Sequence, residues 1–195
     1  MTKLLVLNLS NDVPCPELEP DLDELYRWYD KRGRGNAPNR GKSCLDHWTG
    51  MEVHIRDGEE RPAGLTDWIE SVPYRVISHR FKALLQAAGA PCEFLPLSAT
   101  YRGKAYPNEY FALNVLDVVR EAIDFSASDI GKYDESVGLV TEGVSRLVLL
   151  PNLSDASMFF LHQILTVAVS DNLAEQINAE NMLGCKCIAP LAFRR

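Results

Sequence analysis

Long apolar runs are missing from this 195-residue sequence. No stretch approaches about 18 uninterrupted apolar residues, the length at which a helix spans a bilayer, so no membrane crossing is expected. The opening Met1-Thr2-Lys3 leads only into the short run Leu4-Leu5-Val6-Leu7. That is too brief for the apolar core of a signal peptide, and no small-residue cleavage site follows, so export by that route is not expected. Cysteine is sparse: Cys15, Cys44, Cys92, Cys185 and Cys187 form an odd set at irregular spacing. A secreted disulfide scaffold needs an even framework, so a reducing cytoplasm is the expected location. A basic surplus is lacking too, with 20 Lys and Arg against 27 Asp and Glu and a net charge of −7. Proteins that neutralise phosphates bring clustered positive charge, which argues against nucleic acid as a partner. An acidic surface favours basic protein partners and speeds their encounter.

What is present is ordinary for a folded protein: 46% hydrophobic and 24% charged residues. The length suits a single domain with a substantial apolar core. Lys3 to Asn8 reads as a strand, stopped by Ser10-Asn11-Asp12 and by Pro14 and Pro16. Glu17, Glu19, Asp21, Asp23 and Glu24 before Leu22, Leu25, Tyr26 and Tyr29 suit a short helix with carboxylates near its positive end. Lys31 to Ser43 has no apolar period and is expected to be a loop. It ends in Gly41-Lys42-Ser43, yet Asn36 stands where a phosphate loop needs its first glycine, and no buried strand leads into it. Between Cys44 and Ser71, the spacing of Trp48, Val53, Ile55 and Trp68 around Asp57 to Glu60 predicts a strand, an acidic turn and an irregular return.

Ser78 is a good helix cap, followed by Phe81, Leu84, Leu85 and Ala88 at helical spacing and closed by Gly89 and Pro91. Cys92 to Leu97 then reads as a strand ended by proline. Tyr110 to Leu113 reads as another, with Asn114 capping a helix whose apolar face is Val115, Val118, Val119, Ala122 and Ile123, and with Asp117 near its open amides. Ser126 to Gly143 is polar and short of apolar period, and reads as a long loop or partly ordered excursion. Val144 to Leu150, Met158 to Leu161 and Ile164 to Val169 predict three strands in an antiparallel meander. Ser170 opens a helix carrying Leu173, Ala174 and Ile177, and Cys185 to Leu191 is the last strand. The expected class is α+β: a mixed, largely antiparallel sheet with helices packed on it. Ser78 and Ser170 each start a helix followed by a strand ending in Pro-Leu, Pro96-Leu97 and Pro190-Leu191, which implies two related helix-strand units.

Catalytic and metal chemistry find little purchase. His47, His54, His79, His162 and the cysteines could build a zinc site only if folding brought Cys185 and Cys187 to partners such as Cys92 and a histidine, and the C-x-C pair lacks the usual ligand spacing. Small buried apolar cysteines are expected instead. No nucleophile elbow or other local signature accompanies a serine or cysteine. No cofactor, metal or catalytic residue is expected.

The stretch Tyr110-Phe111-Ala112-Leu113-Asn114-Val115-Leu116-Asp117-Val118-Val119, with Ala122-Ile123-Asp124, Leu147 to Leu150, Val169-Ser170-Asp171-Asn172-Leu173 and Gly184, resembles the bacterial immunity proteins encoded beside polymorphic and type VI secretion toxins. The segment Val76 to Leu97 resembles what precedes that pattern. The resemblance spans roughly 72–193, leaving 1–70 as a variable part of one domain. Where the family has a phenylalanine-arginine word in a hairpin, this chain has Phe160-Leu161. The resemblance implies an antitoxin that binds a cognate toxin without chemistry of its own. Acidic residues would match the toxin's basic groups while packed anchors supply affinity. The candidate contacts are Asp124, Asp129, Tyr133, Asp134 and Glu135. Two other functions are open: a self-associating scaffold or regulatory module anchored by Trp28, Trp48 and Trp68, and a small hydrolase.

Overall fold

Both α-helices among the described residues begin on a serine. Ser78 precedes α1 (His79–Ala87) and Ser170 precedes α2 (Asp171–Ala179). In each, the serine backbone is extended and its Oγ accepts an amide N–H of the first turn, Phe81 at 3.1 Å and Leu173 at 3.3 Å. That satisfies one of the donors a helix start leaves open. The helices also end alike, on left-handed residues Gly89 (φ 61°) and Asn181 (φ 50°). The next amides, Ala90 and Met182, reach back to the Leu85 and Ile177 carbonyls. Ser170→Ala is expected to cost about 1 kcal/mol, read as a lower urea midpoint at unchanged slope; an unchanged midpoint would contradict the capping role.

The structure, a computed structural model, describes residues 2–7, 17–20, 38–57, 64–70 and 75–194. One sheet contains β1 (Thr2–Leu7), β8 (Val118–Val119), β11 (Met158–Leu161), β12 (Thr166–Ser170) and β13 (Cys185–Ile188), in the order β13-β1-β12-β11-β8. A second contains β2 (Glu17–Pro20), β3 (Glu52–Arg56), β4 (Trp68–Glu70), β5 (Arg75–Ser78), β6 (Cys92–Tyr101) and β7 (Lys104–Val115), in the order β2-β3-β6-β7-β5-β4. Only β8–β11 and β3–β6 pair parallel among these neighbours. The mixed, largely antiparallel character expected of an α+β chain is therefore present. A separate hairpin joins β9 (Asp129–Asp134) to β10 (Leu139–Arg146). Among the described residues no helix is long and apolar enough to cross a membrane.

Alternation along the strands divides the core. Phe111, Leu113 and Val115 of β7 face one way, with Met158 and Phe160 of β11, Val167 and Val169 of β12, and the helix residues Phe81, Leu85, Leu173 and Ile177. The two sheets thus present inner faces to one apolar cluster that also takes both helices. Tyr110 and Ala112 face the other way, with Val53, Ile55, Val76 and Leu95. On the far side of the five-stranded sheet, Leu4, Phe159, Leu161 and Ala168 are covered by Val140 and Val144 of the hairpin and by Ala122, Ile123 and Leu147.

Several expectations fail for identifiable reasons. The helix from Asn114 to Ile123 does not form: Asn114 and Val115 end β7, and Val118–Val119 is β8. Its helical spacing arises because an extended chain passes from one cluster to another, Val115 entering the central one while Val119, Ala122 and Ile123 pack on the outer one. Asp117 accepts a hydrogen bond from Ser154 Oγ instead of capping. Glu17 and Glu19 lie in β2, not in a helix, and 21–29 fall outside the described residues. The loop expected over Ser126 to Gly143 is mostly the β9–β10 hairpin. Val144 to Arg146 belong to that hairpin, so the meander shrinks to the β11–β12 pair. Strand β6 runs through Pro96 to Tyr101 by way of a register shift between Pro96 and Ser98; a bulge is a position where proline is tolerated in a sheet. Strand β13 stops at Ile188, and Pro190 to Ala192 form a 3-10 turn.

Candidate functional site

The hairpin collects the residues picked out from the sequence. Asp129, Tyr133 and Asp134 lie on β9, Glu135 begins its turn, and Asp124 lies in the turn that leads into it. Its inner side is apolar, with Val140 and Val144 buried and Ile130 and Tyr133 packed beside them. Register shifts between Val140 and Glu142 and between Val144 and Arg146 fit a two-stranded unit bent over the sheet. Gly131 permits the close approach this needs, since a Cβ there would meet the Glu142 carbonyl oxygen at 2.9 Å.

The carboxylates are fixed to different degrees. Asp134 Oδ1 accepts from the Ser136 amide at 2.9 Å and from Ser136 Oγ at 2.6 Å, and its carbonyl accepts from the Gly138 amide at 2.8 Å. Asp124 Oδ1 accepts from Ser126 Oγ at 2.6 Å and from the amides of Ser126 and Ala127 at 3.0 and 3.2 Å. In both, bonding from the serine hydroxyl leads the causes that lower the carboxyl pKa, so these are standing negative charges at neutral pH. Asp129 accepts from Ser145 Oγ. Glu135 is exposed. Lys132 and Glu142 pair at 3.3 Å in solvent, which contributes little stability.

Two neighbours were not foreseen. Phe125 is 44% exposed and stacks on Tyr133 with ring centroids 4.8 Å apart and planes at 56°, and Val137 in the turn is 53% exposed. An aromatic in the otherwise polar stretch Asp124 to Ser128 was the available signal. Residues 121–146 hold six carboxylates against Lys132 and Arg146, a net of −4 within the chain's −7. The surface is thus an aromatic and aliphatic patch among fixed and free carboxylates, on a hairpin packed to its support.

No protein-family model matches the chain, and no curated protein matches it.

The other candidate chemistry is dispersed. The described thiols are Cys44, Cys92, Cys185 and Cys187. Burial is the first cause raising each: Cys44 and Cys187 to about 11, Cys92 to about 12, and Cys185 higher still. They are protonated at neutral pH, unlike an activated nucleophile. Cys185 and Cys187 do share a face, but it is the apolar one in the central cluster. Among the described residues no group of three or more His, Cys, Asp and Glu is placed to hold a metal. His47, His54 and His79 are exposed, and the His79 ring lies 6.3 Å from Phe111. Trp68 is fully buried beside Phe81, and Trp48 is half-buried with Nε1 donating to the Pro96 carbonyl at 2.7 Å. Neither is a free anchor for self-association, and Trp28 lies outside the described residues.

The segment that ends in Gly41-Lys42-Ser43 is committed to a buried polar knot. The Asn39 amide donates to Asn114 Oδ1 at 2.7 Å, and Asn114 Nδ2 donates to the Lys42 carbonyl at 2.9 Å and to Glu93 Oε2 at 2.8 Å. The Cys44 amide completes the knot on Glu93 at 2.8 Å. The amides of Asn39 and Cys44 are thus spent on side chains of β7 and β6.

Proposed function

We propose that this chain is an immunity protein that binds and neutralises a cognate bacterial toxin by occluding it, with the outer face of the β9–β10 hairpin as its contact surface. The observation that carries this reading is the pairing of the exposed apolar side chains Phe125 and Val137, the former set on the half-buried Tyr133 ring, with carboxylates at Asp124, Asp129, Asp134 and Glu135. Apolar anchors supply affinity, and the charges raise association rate and select a basic partner. The register shifts blunt both strands, so docking uses side chains and not strand addition. The resemblance over 72–193 supports the same reading. It calls for no bond-making by the chain.

The two helix-strand units are, in this reading, copies of one module. Helix α1 joins β5 to β6, which flank the antiparallel β7, and α2 joins β12 to β13, which flank the antiparallel β1. Relatives in which both segments fit one sequence pattern from serine cap to left-handed residue would support the copying, and relatives in which the two drift independently would remove it.

Copurification with the product of the adjacent gene tests the function. A stable complex, and survival of cells that express both proteins where the neighbour alone kills, are expected. Absence of the complex together with absence of protection would eliminate the proposal.

A further inference from the structure

We propose that the hairpin is latched to the five-stranded sheet by the neutral imidazole of His162, and that protonation of this ring in mild acid releases it. His162 opens the 3-10 turn His162–Ile164 between β11 and β12, and β10 packs on that turn. The side chain is enclosed, with the residue 7% exposed, and Nδ1 has no hydrogen-bond partner among the described residues. In the hairpin turn, the backbone of Val137 is the group that acts on the ring.

The surroundings oppose a second proton. Burial comes first, then the positive charges of Arg40 from the 38–44 segment and Arg120 after β8; together they lower the imidazole pKa against the weaker pull of the Val137 backbone. Among the described residues no carboxylate acts on the ring. The hairpin's own charges are turned elsewhere: Lys132 pairs with Glu142, and Asp134 is bonded within its turn. An Nδ1–H would enter an enclosed site with no acceptor among the described residues, so the ring takes a proton only by leaving. Release is local, because the neighbouring Gln163 Oε1 accepts from the Ala122 and Ile123 amides at 2.6 and 3.0 Å and pins the chain ahead of the hairpin.

The sign follows from linkage. The closed-state pKa lies below that of the free ring, so latching is fully present above roughly pH 6.5 and is lost as pH falls through that value toward the closed-state one. One unit below the free-ring value multiplies the open population at most about tenfold. Asp124 and Asp134, held low, do not titrate in this window.

The latch does not depend on the immunity reading; its consequence, weaker partner binding in acid, does. Amide exchange of residues 129–146, corrected for intrinsic rate, is to be compared at pH 7.5 and 5.5 in the wild type and in His162→Gln. The expected result is a rise in hairpin opening of more than about threefold and at most about tenfold in the wild type, less than twofold in the variant, and no rise in α1 or β6. Equal response in the variant, a rise spread over the whole chain, or no rise would overturn the latch. Should the variant fail to fold, the NMR titration of the wild-type His162 ring decides: an apparent pKa clearly below 6.5 that parallels hairpin exchange supports the latch, and one at or above 6.5 rejects it. Loss of toxin protection with the pH response intact would instead count against the proposed function alone.

Discussion

Gly184→Ala is expected to lower the thermal midpoint by roughly 6–12 °C, the equivalent of at least about 3 kcal/mol for a chain of this size. Gly184 has φ +87°, a conformation that L side chains rarely adopt. A Cβ there would also intrude on the Trp68 carbonyl oxygen and lie 3.0 Å from Thr66 Cβ and Oγ1. Neither neighbour can yield. The Trp68 carbonyl accepts from Thr66 Oγ1 at 3.0 Å, and the Asp67 and Trp68 amides both donate to the Leu183 carbonyl at 3.0 Å. This is where β4 of one sheet meets the turn leading into β13 of the other, so strain here separates the sheets. Differential scanning calorimetry checks it; a midpoint within about 2 °C of wild type would show that the joint tolerates a side chain.

Asp67→Ala is expected to be nearly as damaging, at about 2–4 kcal/mol, because it strands three donors at the same joint. Oδ1 accepts from Ser78 Oγ at 2.6 Å, and Oδ2 accepts from the Leu183 amide at 2.9 Å and from Arg80 Nη1 at 3.1 Å. Ser78 is also the α1 cap, so loss of its acceptor loosens the start of the helix. Arg80 further reaches the Glu180 carbonyl just past α2, which makes one buried carboxylate the tie between both helices and β4. Urea unfolding should show a lower midpoint, with Asp67→Asn retaining part of the loss through its remaining oxygen. Equal stability of Asp67→Ala and wild type would mean that solvent satisfies these donors.

What the sequence disclosed was local. Serine caps with apolar residues at helical spacing announced α1 and α2, and the compact run after Lys3 announced β1. What stayed hidden depended on distant partners. The 114–123 region reads as helical because its apolar residues serve two clusters, a distinction set by which sheet covers them. Bulges removed the two-residue alternation from the hairpin, leaving Ile130 with Tyr133 and Val140 with Val144 as the apolar positions. Asn114 looked like a cap, but it is a strand residue whose amide group closes a buried knot with residues 72 to 75 positions away. Within the candidate surface the acidic residues could be picked out by composition. Phe125 could not be told from a core aromatic until its exposure was known. The Trp68 anchor failed for the converse reason, since an isolated tryptophan carries no mark of which side it faces.

Charge on the hairpin acts on the kinetics of binding as well as on affinity. Asp129→Asn with Glu135→Gln should slow association several-fold at low salt and flatten its salt dependence, because exposed charges steer encounter and are screened beyond about 10 Å at 0.1 M. Dissociation should change little.

The most direct measurement is the affinity of wild-type chain and Phe125→Ala for the product of the adjacent gene, by calorimetric titration at neutral pH. Phe125 is exposed and its loss should leave the fold intact, so the account predicts a tight wild-type complex weakened about tenfold or more by the substitution, in line with loss of an aromatic anchor worth over about 1 kcal/mol. A complex of equal affinity with both proteins would contradict the placement of the contact surface on the hairpin.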